Sequence, residues 1–390
     1  MSLGLRQSFE FSERTRIVVG AGVWSKALVD VRSFGQRVLL VTGAASLARL
    51  GLEAPLAEAA RALEIDFVRF SVPHEPDVEL ADQAANLART SGAQAVLALG
   101  GGSALDVAKA AAALATNLGS ARDYLEGLPT PAKSFAADPL PMVCIPTTAG
   151  TGSEVTKNAV LQVQDLRVKR SMRSERLFPR SAFVDPTLSG QAPLLVRAGT
   201  GFDALTHLVE AFCSKKASAF TDALARDGIP RAVHALYALA EQRAGDAEAL
   251  DLAIASTLGG ICLANAGLGA AHGLIAPLGG LYPNIPHGAG LACLLPATLT
   301  INAASTLCDA NANARLTELS RLISGPSATV AGVARELAEL RVALGLPALW
   351  SYAEIDVERV VQNPSGSLKT NPVPLTVAEL RALLELALSA

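Results

Sequence analysis

Ala95-Val96-Leu97-Ala98-Leu99-Gly100-Gly101-Gly102-Ser103-Ala104-Leu105-Asp106-Val107-Ala108-Lys109 passes from an unbroken apolar run, through three glycines and a serine, into an alanine-rich stretch. A short apolar run followed by a glycine turn reads as a buried strand, and the alanines after it read as a helix. The glycines permit a tight turn and let the backbone come close to a ligand. The new helix would offer unpaired N–H groups and a positive dipole end to an anion, with Ser103 placed to cap it or to bond a phosphate. A tight strand-to-helix turn capped by Ser103 accounts for the same residues without a ligand. The pattern is neither GxGxxG nor a Walker loop, and it falls late in its half of the chain, unlike the first-strand fingerprint of a Rossmann domain. The shorter Gly20-Ala21-Gly22 turn reads as structural.

Outward from this stretch the first half alternates. Short β-branched or leucine-rich runs at 16–19, 37–41, 67–70, 95–99 and 142–145 are separated by helical patterns such as 56–63 and 78–91. That alternation predicts a mostly parallel, doubly wound sheet covered on both faces. A polar loop, Pro146-Thr147-Thr148-Ala149-Gly150-Thr151-Gly152-Ser153-Glu154, follows the fifth run. Its hydroxyls and glycines at a strand's carboxyl end suit a ribose or pyrophosphate better than a surface loop. After Asp185-Pro186 strand signals nearly vanish, and helical stretches follow at 202–212, 219–242, 247–265, 328–344 and 376–389. The reading is an α/β nucleotide-binding domain over 1–186 and an all-helical domain over 187–390.

Length and composition agree with two domains. The chain has 390 residues, too many for one ordinary core. It is 50% hydrophobic, 18% charged and carries a net charge of −3, which argues against disorder and gives no reason to expect nucleic acid. Residues 1–10 hold no apolar run of the signal-peptide kind. The most membrane-like stretch, 261–281, contains Asn265 and His272 and is glycine-rich, which fits a buried helix pair better than a bilayer span. The five cysteines are odd in number and scattered, so neither a CxxC metal motif nor a disulfide framework is expected. A reduced, cytoplasmic protein is the expectation.

The helical half carries the chemistry. In Gly201-Phe202-Asp203-Ala204-Leu205-Thr206-His207-Leu208-Val209-Glu210-Ala211-Phe212, Asp203 and His207 are four apart and share a helix face. Alone, the pair is better explained as a helix charge and a core histidine. Two of the four other histidines change that balance. His272 and His287 both stand in apolar, glycine-rich sequence, in a chain with five histidines in all, and buried histidines need partners. One Asp and three His form a set suited to Fe²⁺ or Zn²⁺ with room left for a substrate oxygen. His74 and His234 lack such surroundings, and His234 reads as a surface or packing residue.

With these residues in place the chain resembles the iron-containing (type III) alcohol dehydrogenase family. The resemblance runs from the 20–22 turn to Thr370-Asn371-Pro372-Val373-Pro374, and is carried by the runs at 100–109, 146–156, 201–212 and 265–296. It implies the dehydroquinate synthase-like architecture, with the active site in a cleft between the α/β and helical domains. It implies Asp203, His207, His272 and His287 as metal ligands. The cofactor pyrophosphate would sit on Gly100, Gly101, Gly102 and Ser103 with Asp106 nearby. Thr147, Thr148 and Lys169 would line the rest of the nucleotide site, and Asn158 would fall near the substrate. The implied activity is hydride transfer between a small alcohol or aldehyde and NADP or NAD, by a homodimer or larger homo-oligomer.

Departures from the family pattern bear on mechanism. Many members carry a further histidine four residues after the first of the late pair, where this chain has Ala276, so a histidine proton relay is not expected. One extra residue near Pro283-Asn284 should reshape the pocket rim. Where NAD-preferring relatives often place an aspartate after the second strand, this chain has Gly43, Ala44, Ala45 and Ser46, so nothing acidic rejects a 2′-phosphate and NADP use is favoured. Arg49 reads as a solvated helix residue. Rival readings are a maleylacetate reductase-like or glycerol dehydrogenase-like enzyme and, from another class, a non-catalytic nucleotide or metal sensor.

Overall fold

The computed structural model describes residues 8–389, so the reading of residues 1–10 lies largely outside the described part. Among the described residues there are eight strands: β1 (Arg16–Val19), β2 (Arg37–Gly43), β3 (Asp66–Val72), β4 (Ala95–Gly100), β5 (Met142–Pro146), β6 (Asn158–Val163), β7 (Val168–Arg173) and β8 (Ser181–Val184). The helices of the first half are α1 (Lys26–Arg32), α2 (Ser46–Arg49), α3 (Glu53–Ala62), α4 (Val78–Ser91) and α5 (Gly102–Thr116). From residue 186 onward the chain is helical: α6 (Pro186–Ser189), α7 (Leu194–Cys213), α8 (Ala219–Ala240), α9 (Asp246–Ala266), α10 (Ala270–Leu281), α11 (His287–Ala304), α12 (Ala310–Ser324), α13 (Val330–Ala343), α14 (Val357–Val361) and α15 (Val377–Ser389).

Six strands form one parallel sheet in the order β1-β8-β5-β4-β2-β3. Successive residues of a strand face opposite sides, and here both sides are covered. Leu39, Val41, Val96, Ala98 and Cys144 pack with α4 and α5, while Val38, Leu40, Leu97, Leu99 and Val143 pack with α1 and α3. Every residue of β4 and β5 is buried, the pattern of interior strands of a doubly wound sheet. Fully burying side chains such as Leu97 and Leu99 contributes roughly 1.5–3 kcal/mol each.

The chain leaves β2 toward β3 on one side and β4 toward β5 on the other, so the winding direction reverses between β2 and β4. A crevice forms at the strand ends at such a reversal. Gly43 and Gly100 end these two strands side by side; a Cβ on Gly100 would lie 3.1 Å from the Gly43 nitrogen.

Three features depart from expectation. An antiparallel hairpin, β6–β7, stands apart from the main sheet and packs against α5 and α10. The last strand of the sheet, β8, lies just before the helical half and has only four residues. Ser103 does not cap α5: the N-cap is Gly101, no side chain caps it, and Ser103 falls within the first turn.

The stretch 261–281 divides between the end of α9 and α10, with a break at 267–269. Among the described residues α9 is the helix long and apolar enough to cross a membrane. It runs between α7 and α8, with Leu252, Ala255 and Cys262 in the core they share.

Candidate active site

α7 presents Asp203, His207 and Glu210 at positions i, i+4 and i+7, one face of a helix. α10 brings His272 to that face from its first turn, and α11 begins with His287. The His207, His272 and His287 Nε2 atoms lie 3.5, 3.4 and 3.8 Å from Asp203 Oδ1. Asp203, His207 and His272 are buried, and the ligand atoms of these three lie within 4.8 Å of one another. Two atoms at the centre, Asp203 Oδ1 and His272 Nε2, are buried without a hydrogen-bond partner. Buried polar atoms left in that condition are costly, and a divalent cation among one carboxylate and several imidazoles removes the cost. The donor set therefore fits a metal ion.

Electrostatics agree. Burial alone would raise the Asp203 pKa, but the neighbouring imidazoles hold it well below the usual carboxylate range. Burial pushes His207 and His287 down to about 4 against the opposing charge of Asp203. Burial also pulls on His272, but the Asp203 and Glu210 carboxylates beside it prevail and raise it to about 9. Both deep imidazoles have their outer nitrogen engaged. His207 Nδ1 lies 3.2 Å from the Gly150 carbonyl and His272 Nδ1 lies 2.7 Å from Glu210 Oε2.

These residues open on a cleft of about 1320 Å³, larger than the roughly 300–1,000 Å³ usual for a single small-ligand pocket. Gly101, Gly102, Ser103, Asp106, Thr148, Asn158, Lys169, Ala276 and the four candidate ligands all line it. Gly43, Ser46, Gly100 and Thr147 do not. Ser46 is buried with its hydroxyl turned to Gly43, Gly100 packs against Ala104, and the Thr147 N–H donates to the Gly100 carbonyl. They shape the crevice rather than face it. The two glycine-rich loops meet closely: a Cβ on Gly102 would lie 2.6 Å from Thr151 Cγ2, and one on Gly101 would lie 3.3 Å from Thr148 Oγ1.

Several of the expected cofactor residues have prior engagements. The Asp106 carboxylate accepts from Ser153 Oγ at 2.6 Å and Val160 N at 3.0 Å, so it ties the polar loop to the hairpin. Lys169 Nζ lies 2.8 Å from Glu75 Oε2, along the face of α10 left open by Gly279. Asn158 is buried, and its Oδ1 has no partner. His74 and His234 lie outside the cleft lining and are largely exposed, as expected.

Three residues that brace the site were not singled out by sequence. Lys109, in the opening stretch, is fully buried and donates to the Thr156 carbonyl, Thr156 Oγ1 and the Asn158 carbonyl, which fixes the start of β6 against α5. Burial lowers its pKa, with Asp106 opposing. Glu75 pairs with Lys169 across 94 residues, a separation no local pattern reveals. Glu210 extends the Asp203–His207 face by one further turn, a spacing that could have marked it.

Comparison with known proteins gives a consistent picture. The family model "Iron-containing alcohol dehydrogenase" matches residues 14–186, and "Fe-containing alcohol dehydrogenase family, C-terminal" matches residues 197–388. The chain is 33% identical to long-chain-alcohol dehydrogenase 1 of Geobacillus thermodenitrificans, over 95% of this chain and 94% of that protein. It is 33% identical to 4-hydroxybutyrate dehydrogenase of Cupriavidus necator, over 90% and 92%. Its structure is similar to that of a 1,3-propanediol oxidoreductase, with a TM-score of 0.87 at 26% identity over 98% of this chain and 100% of that one. It is also similar to an iron containing alcohol dehydrogenase from Thermococcus thioreducens, with a TM-score of 0.86 at 26% identity over 98% of this chain and 100% of that one.

Proposed function

The chain belongs to the iron-containing alcohol dehydrogenase family and is an NAD(P)-dependent alcohol dehydrogenase or aldehyde reductase; from that premise we propose that Asp203, His207, His272 and His287 hold one divalent ion, Fe²⁺ or Zn²⁺, facing a nicotinamide nucleotide laid along Gly101, Gly102, Ser103 and Thr148. The observation that carries this reading is the convergence of Asp203 Oδ1 and His272 Nε2, buried and unpartnered, at the wall of the cleft. When bound, the ion supplies Lewis acidity toward a substrate oxygen and the nucleotide supplies the hydride carrier.

The chain's own residues do the remainder. His207 and His272 keep Nε2 free to ligate because Gly150 and Glu210 engage their Nδ1 atoms. Gly101 and Gly102 let the backbone approach a phosphate, and the uncapped first turn of α5 offers its N–H groups. Asn158 Oδ1 is an acceptor available to a hydroxyl in the cleft. Burial of Asp203, His207 and His272 holds these three side chains in fixed positions at the wall of the cleft. Ala276 leaves no imidazole on its turn of α10, so Thr148 and Thr151 of the polar loop, which line the cleft, are the hydroxyls of this chain placed to relay a proton. An aldehyde and alcohol panel with NADH and NADPH, before and after chelation and on return of Fe²⁺ or Zn²⁺, tests the reading. Activity should vanish with the metal and return with it; turnover indifferent to chelation overturns the proposal.

For the nucleotide we favour NADP. Gly43 closes β2 beside the glycine turn, and the residues from Gly43 to Ser46 include no carboxylate. In Gly43→Asp the new carboxylate, with Ser46 displaced, should repel a 2′-phosphate. The ratio of kcat/KM for NADPH over NADH should fall about tenfold or more, equivalent to about 1.4 kcal/mol. An unchanged ratio removes Gly43 from cofactor selection.

A further inference from the structure

Glu210 is buried on α7 and does not line the cleft, yet three donors of the first turn of α10 converge on it. Its Oε1 accepts from the Ala271 N–H at 2.7 Å; its Oε2 accepts from His272 Nδ1 at 2.7 Å and, more weakly, from the His272 N–H at 3.4 Å. We propose that Glu210 is the positioning residue of the metal centre, setting which nitrogen of His272 carries the proton and fastening α10 where that histidine faces Asp203. The inference rests on the metal reading above.

A carboxylate only accepts hydrogen bonds. With Glu210 on one side, His272 Nδ1 carries the hydrogen, and the Nε2 lone pair is left pointing at Asp203 and the cleft. Metal-ligating histidines are commonly held in this way by an outer carboxylate, which fixes the ring and its tautomer. α10 has no side-chain cap of its own at Gly269. Its first three N–H groups end on two other elements, Ala270 on Asn371 Oδ1 at 3.1 Å and the next two on Glu210. Negative charge is favourable at a helix N-terminus, so the same carboxylate also stabilises the helix that carries the ligand. Gly269 makes room for it: a Cβ there would lie 2.8 Å from Glu210 Oε1.

Substitution separates this role from packing. In Glu210→Gln the shape is kept, but the amide must either turn its NH₂ to His272 Nδ1, moving the imidazole hydrogen to Nε2, or turn it to the Ala271 N–H, setting donor against donor. In Glu210→Asp the acceptor chemistry is kept and a methylene is lost. Metal-stripped proteins are titrated with Co²⁺ against a chromophoric chelator, and the ligand-field spectrum is recorded. Affinity should fall about 10- to 100-fold in Glu210→Gln, with an altered spectrum, and Glu210→Asp should lie between it and the parent. Equal affinity of Glu210→Gln and the parent, with Glu210→Asp the weaker, overturns the proposal in favour of packing. Absence of Co²⁺ binding by the parent instead overturns the metal reading itself. Should Glu210→Gln fail to fold, the Glu210→Asp protein decides: its spectrum must match the parent's, with weakened affinity.

Discussion

A His272→Ala enzyme is expected to lose both tight metal binding and turnover, the latter by about a thousandfold or more, the upper range for removing one preorganised electrostatic group. His272 is the ligand candidate whose Nε2 is buried without a partner, and it sits between Asp203 and the stacked ring of His207, 4.5 Å away between centroids. Its removal opens the centre and leaves Glu210 without its imidazole donor, which costs a further 1–3 kcal/mol or about that in stability. Metal content after dialysis, kcat with a short aldehyde, and denaturant unfolding read the three effects separately. Full activity in a metal-free His272→Ala enzyme is the result that sinks the metal mechanism.

The second large effect is expected from a methyl group. In Gly288→Ala the new Cβ would lie 2.1 Å from the Gly199 carbonyl oxygen and 2.4 Å from its carbon. Both are backbone atoms of α7, so no rotamer relieves the contact. α7 and α11 must separate, and His287, one residue before the glycine, moves with α11. Overpacking typically costs about 1–3 kcal/mol and here should reach the top of that range or exceed it. Urea unfolding should show the loss, and the metal titration should show weakened binding alongside it. A Gly288→Ala protein with parental stability and affinity would mean that the two helices yield without disturbing the site.

Much of this architecture is legible in the sequence because buried strands and long helices write strong local patterns. β4 and β5 are apolar throughout, and 78–91 matches α4 residue for residue. The hairpin is not legible in the same way. β7 reads Val-Lys-Arg-Ser-Met-Arg, with half its residues charged, because a two-stranded ribbon keeps one face in water. β8 has only four residues, paired along its whole length with β1 and over two residues with β5, too short a run to stand out in the sequence.

The candidate site divides along similar lines. Asp203 and His207 are marked by helical spacing, and the late histidines by their apolar setting. Ser103 was expected at the cap because the first polar residue after a glycine run is the usual choice. The helix begins earlier, at Gly102, since Gly101 already accepts from Ala104 and Leu105. Lys109 resembles any lysine on an alanine-rich surface helix until β6 is seen to cover it. Its three acceptors all lie beyond residue 155, and only the tertiary fold brings them to it.

The Gly150 carbonyl belongs to the polar loop of the α/β half, yet it holds the ring of His207 in the helical half. Gly152 of the same loop lies against Gly260 of α9, where a Cβ on Gly152 would come within 2.5 Å of the Gly260 Cα. One segment thus borders the cleft and holds the ring of a proposed metal ligand. Thermodynamic linkage then applies: whatever factor an ion at His207 imposes on nucleotide affinity through this loop, the nucleotide must impose on ion affinity in return. In the reading proposed above, ion and nucleotide would answer to each other through this one loop.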